Sequence, residues 1–232
     1  MIKAVIFDLD NTLYSYDDCN RYAFEALSGY MAKYGVIPET FQQEFYAARE
    51  EVKNRLPYDF AARHNRILYC QRCAERLGLN PFSCALDMYR MYWDSFLAKA
   101  KLYDNADKVL HYLKENSIKI GICTDMTAQI QFRKIQQLGI EKLIDSMVSS
   151  EEAGAEKPSG KIFSLMLEKL NVSPEECVYV GDDYHRDIQG ADAAGMKTVY
   201  FSSDCTKDTF RCRNYDEMMD FLRQLLRETN TK

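Results

Sequence analysis

Short apolar strands alternate with amphipathic helices through the second half of the chain, and this alternation constrains the fold more than any other feature. Strands are predicted at residues 118–123, 146–149, 177–180 and 198–201, and helices at residues 105–116, 129–138, 159–170, 185–194 and 215–227. Because neighbouring parallel strands need crossover connections, the pattern predicts a parallel sheet with helices on both faces. The apolar run at residues 1–7 predicts one more buried strand of this sheet.

Residues 16–100 differ in character, because their apolar side chains recur at helical spacing, as Ala23 and Leu27 do. Glycine and proline divide this segment into four predicted helices, with breaks near residues 35–38, 56–57 and 78–81. The predicted fold class is therefore α/β. A Rossmann-like, doubly wound parallel sheet forms a core domain of residues 1–15 and 101–232, and residues 16–100 form an inserted α-helical domain.

Composition excludes several classes of partner. The 232 residues carry a net charge of -5 and no basic run, so a nucleic-acid partner is not expected. No apolar stretch reaches the length of about 18 residues that a membrane span needs. The first apolar run meets Asp8 too early to serve as the core of a signal peptide. We therefore expect a cytoplasmic protein without a membrane partner, either a monomer or a homodimer.

The eight cysteines are scattered over predicted helices and strands, which suits a reducing compartment better than a disulfide framework. Cys70 and Cys73 form a CxxC spacing within a helix predicted at residues 58–77. A zinc site with four ligands would need a second CxxC or a nearby pair of histidines, and the surrounding sequence offers neither. Buried thiols are therefore the preferred interpretation over zinc or redox chemistry.

Polar residues follow the predicted strands at their carboxyl ends. Asp8 and Asp10 follow the first strand, Thr124 and Asp125 the second, and Asp182 a later one. Each of them alone has a simpler interpretation, because these residue types also favour turns and helix caps. The carboxyl ends of parallel strands meet at one edge, where open α/β sheets bind their ligands. We therefore expect these side chains to converge.

The types of residue in this set indicate a pocket for a metal ion and an anion. Two adjacent carboxylates repel each other and are costly to remove from water, and a bound cation relieves both effects. Oxygen ligands suit Mg2+, and Asp8, Asp10 and Asp182 supply enough of them. Thr124 can donate to an anionic oxygen, and Lys157 supplies a positive charge for Asp8 and a phosphate.

Four segments together resemble the motifs of the haloacid dehalogenase-like (HAD) hydrolase superfamily. They are DLDNT at residues 8–12, the threonine at 124, the lysine before a proline at 157, and GDDYHRD at residues 181–187. Their order, spacing and strand-end positions are similar to those of the phosphatase branch, and the resemblance spans essentially the whole chain. The helical insertion resembles the cap domain of this family, which closes over the site and selects the substrate.

The resemblance implies that Asp8 is a nucleophile that forms an aspartyl phosphate, and that Asp10 is first a general acid and then a general base. The first carboxylate must be ionised while the second carries a proton, which separate environments allow. Family members that displace halide lack the second aspartate. A phosphatase is therefore expected rather than a dehalogenase.

The resemblance also implies a set of ligands. Mg2+ would be held by the Asp8 carboxylate, the main-chain carbonyl of Asp10 and Asp182. Asp187 is expected either to bind the metal through water or to orient Lys157. The residues expected to bind the transferred phosphate are Thr124, Asp125 and Lys157. The role of the additional acid at position 183 stays open.

The expected substrate is a small phosphorylated metabolite, with nucleoside monophosphates first and sugar or short polyol phosphates second. The DLDNTLY sequence resembles the nucleotidase and sugar-phosphate phosphatase branch more than the phosphoglucomutase branch. The order depends on aromatic residues of the cap that either stack on a base or fill the core of the cap. These aromatic residues are Tyr14, Tyr16, Tyr22, Tyr58, Phe60 and Trp93, and His64 and Arg66 are polar candidates. Alternatives are a haloacid dehalogenase or a sugar-phosphate mutase of the same superfamily, and a non-catalytic HAD-fold binding protein.

Overall fold

The chain forms two compact units in a computed structural model that describes residues 1–203, 206–207 and 209–230. We refer to Met1–Ser15 with Lys101–Lys232 as the sheet unit, and to Tyr16–Ala100 as the helical unit. The helical unit is therefore an insertion in the sequence of the sheet unit.

The strands of the sheet unit all run parallel. They are β1 (Ala4–Phe7), β2 (Lys119–Thr124), β3 (Ser146–Ser149), β4 (Cys177–Gly181), β5 (Lys197–Phe201) and β6 (Arg211–Cys212). Within the described ranges they form one six-stranded sheet in the spatial order β3-β2-β1-β4-β5-β6. Phe7 of β1 is in register with Ile122 of β2 and Val180 of β4. This order confirms the predicted doubly wound parallel sheet.

Four α-helices form the helical unit. They are α1 (Tyr16–Met31), α2 (Pro38–Arg55), α3 (Arg66–Arg76) and α4 (Pro81–Lys99). Helix α1 packs against α4, and α3 packs against both α2 and α4. Trp93 of α4 is buried against the rings of Tyr92 and Phe96, so of the two roles that the sequence left open it has that of a core residue. Three other candidates have exposed rings, namely Tyr22, Tyr58 and Phe60.

Helices of the sheet unit connect the strands and cover both faces of the sheet. They are α5 (Ala106–Glu115), α6 (Ala128–Leu138), α7 (Ser150–Ala153), α8 (Gly160–Leu170), α9 (Gly190–Ala193) and α10 (Tyr215–Asn230). Ala4 and Ile6 of β1 belong to the same core cluster as Phe163 of α8. Val5 and Phe7 point to the opposite face and are also completely buried. The apolar strand is thus covered on both faces, as its sequence predicts.

One predicted helix begins later than expected. The sequence predicts a helix over residues 58–77, whereas the structure has a single 3-10 turn at Ala61–His64 and starts α3 at Arg66. Asn65 has an extended backbone, and its side chain accepts the N–H of Ile67 at 3.2 Å. An asparagine in this position caps the start of a helix, so the helix cannot continue through it.

Cys70 and Cys73 lie on α3 as buried free thiols, as predicted. Burial raises the pKa of Cys70 above its ordinary value and raises the pKa of Cys73 to about 12. Because the thiolate is the reactive form, such thiols are inert. The CxxC spacing therefore serves packing.

The helix predicted at residues 185–194 departs from regular α-helical geometry. It begins as a π-helical turn, Tyr184–Gln189, and continues as α9. The two-residue strand β6 was not predicted, because so short an element leaves no periodic pattern. Among the described residues, no helix is both long enough and apolar enough to cross a bilayer.

Candidate active site

The carboxyl ends of β1, β2 and β4 carry the polar residues that the sequence singled out. Asp8 continues the ladder of β1, because its N–H donates to the Val180 carbonyl at 2.8 Å. Thr124 is the last residue of β2, and Asp182 directly follows β4. Asp8 and Thr124 are both buried. Adjacent parallel strands thus bring these side chains to one edge of the sheet.

Lys157 pairs with two carboxylates at this edge. Its ammonium donates to Asp8 Oδ1 at 2.5 Å and to Asp187 Oδ1 at 2.6 Å, and all three side chains are buried. The Tyr179 hydroxyl donates to the same Asp187 oxygen at 2.9 Å. Burial opposes the charge on Lys157, but Asp187 and Asp8 outweigh it and raise the pKa of this lysine well above its ordinary value. Lys157 is therefore a fixed cation beside Asp8.

The loop after β4 is built around Asp187. A Cβ atom at Gly181 would lie 2.4 Å from the Cγ of Asp187, so only glycine admits the carboxylate here. Asp183 accepts the N–H groups of His185 and Arg186, at 2.9 Å each, and caps the π-helical turn that carries Asp187. Capping is the role of Asp183 that the sequence left open.

Asp8, Asp182 and Asp187 form a group of three carboxylates. One oxygen from each lies within 4.8 Å of those from the other two. Burial raises the pKa of Asp8 well above its ordinary value, with Lys157 opposing and the neighbouring acids adding to the shift. Burial and the charge of Asp187 raise the pKa of Asp182 to about 7. Carboxylates this close together and this buried are destabilised when they are ionised. A hard divalent cation that binds their oxygens offsets this destabilisation.

The Asp10 carboxylate is held apart from this group by two residues of the sheet unit. The Lys134 ammonium donates to both of its oxygens, at 2.7 and 2.8 Å. The Tyr14 hydroxyl donates to Oδ1. Lys134 is completely buried, whereas 21% of the Asp10 side chain is exposed. Lys134 and Tyr14 therefore fix the orientation of the Asp10 carboxylate.

Replacement of Lys134 tests the strength of this pairing. Lys134→Met is expected to lower the free energy of unfolding by about 1–3 kcal/mol, less than for a fully buried pair because Asp10 reaches solvent. Urea denaturation at neutral pH measures the effect, with exposed Lys108→Met as the matched control. If the two variants are equally stable, the Lys134 pairing contributes nothing to folding.

Thr124 and Asp125 are both anchored by side-chain contacts. Gln131 Nε2 donates to Thr124 Oγ1 at 2.8 Å. The Asp125 carboxylate accepts the Lys157 N–H at 3.0 Å and Arg186 at 3.2 Å. Burial raises the pKa of Asp125 above its ordinary value. The Asp125 carboxylate therefore holds the main chain of Lys157 in place.

Comparison of the sequence with known protein families shows which family has this arrangement of residues. Residues 2–195 match the sequence family described as haloacid dehalogenase-like hydrolase. The chain belongs to the haloacid dehalogenase-like hydrolase family. The matched range contains every strand-end residue described above, so the resemblance drawn from the four motifs is confirmed.

Relatives of this HAD-like hydrolase cover nearly its whole length. A ribulose-1,5-bisphosphate 5-phosphatase from Halopiger xanaduensis is 38% identical over 97% of this chain and 98% of that protein. A glyceraldehyde 3-phosphate phosphatase from Methanopyrus kandleri is 34% identical over 95% of this chain and 92% of that protein. A crystal structure of a magnesium-bound HAD-hydrolase from Bacillus subtilis has a TM-score of 0.75 at 17% identity, covering 96% of this chain and 99% of that one. The HAD-like hydrolase is accordingly a phosphatase, a phosphoric monoester hydrolase.

Sequence reasoning missed two residues of this HAD-like phosphatase and assigned a third to the wrong unit. Gln131 and Lys134 lie on the buried face of α6, whose apolar members are Ile130, Ile135 and Leu138. Polar residues within an apolar stripe were the available signal. Tyr14 was predicted as an aromatic residue of the cap, but it belongs to the sheet unit and contacts Asp10. That assignment of Tyr14 is wrong.

Proposed function

We propose that this HAD-like phosphatase hydrolyses a small sugar phosphate through an aspartyl phosphate on Asp8, with Mg2+ as cofactor. The observation that carries the proposal is the buried Asp8 carboxylate at the end of the central strand, paired with Lys157 at 2.5 Å. A buried, oriented carboxylate beside a fixed cation suits nucleophilic attack on an anionic phosphoryl group.

The donor set fits Mg2+, because every candidate ligand is an oxygen and the carboxylates lie close together. Asp8, Asp182 and the main-chain carbonyl of Asp10 would hold the ion, and Asp187 would support it through water or through Lys157. When bound, the ion supplies positive charge that offsets the phosphoryl oxygens and the clustered carboxylates.

The residues of the chain divide the chemistry into two steps. In the first, an Asp8 oxygen bonds to phosphorus while the ester bond breaks, and Asp10 gives its proton to the leaving oxygen. Lys157 and Thr124 bind the phosphoryl oxygens. In the second, a water oxygen bonds to phosphorus while the Asp8 bond breaks, and Asp10 takes the proton of that water. The products of the second step are inorganic phosphate and the free Asp8 carboxylate.

The substrate class is proposed from the relatives. The two phosphatases named above act on ribulose-1,5-bisphosphate and on glyceraldehyde 3-phosphate, both of which are phosphorylated sugars. We therefore place sugar phosphates ahead of nucleoside monophosphates, which reverses the order that the sequence predicted. Neither of these two relatives is a nucleotidase, so they do not support nucleotidase activity in this chain.

A substrate panel tests this proposal. With Mg2+ present, kcat/KM is expected to be higher for triose and pentulose phosphates than for any nucleoside monophosphate. Phosphate release is measured at one pH for all the phosphate esters, and chloride release from chloroacetate is measured as a probe of dehalogenase activity. Preference for a nucleotide would reject the substrate class, and turnover of chloroacetate alone would reject the reaction.

Replacement of Asp10 separates its role from that of Asp8. Asp10→Asn is expected to slow the phosphorylation step by about 10²–10⁴-fold for an alkyl phosphate, and less for p-nitrophenyl phosphate. The difference arises because p-nitrophenolate leaves without needing a proton. Single-turnover release of the leaving group measures both rates. Equal losses for the two substrates would contradict the assignment of Asp10 as the general acid.

A further inference from the structure

The helical unit contains a cavity of about 270 Å³ among its four helices. Its lining includes two arginines, Arg49 of α2 and Arg66 of α3, together with several tyrosine and phenylalanine rings. Asp17 of α1 is the acidic residue of the lining, so two guanidinium charges face one carboxylate. The volume suits a small charged group with a few carbon atoms.

Arg66 is oriented by neutral groups. Its guanidinium donates to the His64 carbonyl at 2.7 Å and contacts the Tyr16 hydroxyl. Its central carbon lies 5.5 to 5.7 Å from the ring centroids of Tyr69, Tyr92 and Trp93. Aromatic faces attract a cation but do not neutralise it.

The pairing of Arg66 differs from that of Arg72 and Arg76, two other arginines of the helical unit. Arg72 and Arg76 each contact a Glu51 oxygen at 2.5 Å, and Arg76 also contacts Glu44 at 2.6 Å. Among the described residues, the contacts of Arg66 include no carboxylate. Arg66 is half-buried. Because a cation that is partly removed from water without a counter-charge is destabilised, the surroundings of Arg66 favour an incoming anion.

Arg49 adds a second cationic group to the same lining. It contacts Glu50 at 3.5 Å, and the two side chains are 40% and 59% exposed, so solvent weakens this pair. A guanidinium presents donors in a planar fork that matches carboxylate and phosphate oxygens. Two such forks in one cavity favour an oxyanion over a neutral ligand.

We propose that this cavity binds the oxyanion group of a small ligand, a phosphate or a carboxylate, through Arg66 and Arg49. The ligand is a small anion separate from the substrate, so this inference is independent of the proposed function.

Fluorescence of Trp93 gives a direct test, because it is the single tryptophan of the chain and lies against Arg66. Inorganic phosphate is titrated into the full chain in the presence of EDTA. The wild type is expected to show a saturable change, and Arg66→Gln to raise the dissociation constant by about 10-fold or more. Arg66→Lys keeps the charge without the fork and is expected to lie between the two.

Arg90→Gln is the matched control, since Arg90 lies on the same helix as Trp93 with a side chain that is 64% exposed. It is expected to bind phosphate as the wild type does. Far-UV circular dichroism and urea denaturation identify any variant that fails to fold, and Arg49→Gln then provides a second test of the same cavity. A wild type without a saturable signal, or an unchanged dissociation constant in a folded Arg66→Gln, overturns the proposal.

Discussion

Asp8→Asn is expected to fold and to lose turnover by about 10⁴-fold or more, as enzymes do when their nucleophile is removed. An amide oxygen cannot form the aspartyl phosphate, and the nearby Asp10 carboxylate is held by Lys134 and Tyr14. The neutral side chain also removes a charge from the group that includes Asp182 and Asp187, so a large loss of stability is not expected. Steady-state kcat with p-nitrophenyl phosphate and urea denaturation measure the two properties.

Asp183→Asn is the matched control for this prediction. This substitution also replaces a carboxylate by an amide in the same site. Asp183 accepts the N–H groups of His185 and Arg186 as a helix cap, and an asparagine side chain accepts them equally well. Turnover within a few fold of the wild type is therefore expected. Near wild-type kcat in Asp8→Asn would show that Asp8 is not the nucleophile, and equal losses in both variants would indicate a general disturbance of the loop.

The positions at the strand ends were predictable because chain topology determines them. A strand that is apolar at every residue, such as β1, has to be buried on both faces, and its next residue, Asp8, must then lie at the sheet edge. Thr124 and Asp182 follow from the same reasoning on β2 and β4. These predictions required the direction of the strands and no knowledge of side-chain contacts.

Contacts between distant side chains were not predictable in this way. Lys134 lies 124 residues from Asp10 in the sequence, and the choice of this partner depends on how α6 packs. Gly181 looked like an ordinary turn glycine, whereas its real constraint is the approach of Asp187. The late start of α3 follows from the single cap at Asn65, which helical periodicity does not detect.

Removal of divalent cations is the second change with a large expected effect. Exhaustive dialysis against EDTA is expected to reduce turnover to background, and Mg2+ to restore it, because Asp8, Asp182 and Asp187 need a cation when ionised. Activity on p-nitrophenyl phosphate before and after metal addition measures the effect. Full activity after chelation would contradict a metal-dependent mechanism.

The same carboxylates give the metal effect a defined dependence on pH. Asp8 and Asp182 have pKa values raised above 3.8, mainly by burial, and that of Asp182 is about 7. Without a cation, the folded protein therefore keeps protons that the unfolded chain releases between about pH 4 and pH 7. The stability that these protonated forms provide is present at low pH and is lost as pH rises through the folded-state values.

A bound cation takes the place of those protons on the carboxylates. Its stabilising effect must therefore grow as pH rises and the folded protein loses the protons. The rise in Tm on addition of Mg2+ is expected to be small near pH 5 and to increase towards about pH 8. Asp182→Asn should flatten this increase, because the group with a pKa near 7 is gone, whereas Asp183→Asn should preserve it. A rise in Tm that is the same at every pH would mean that Mg2+ does not bind at these carboxylates.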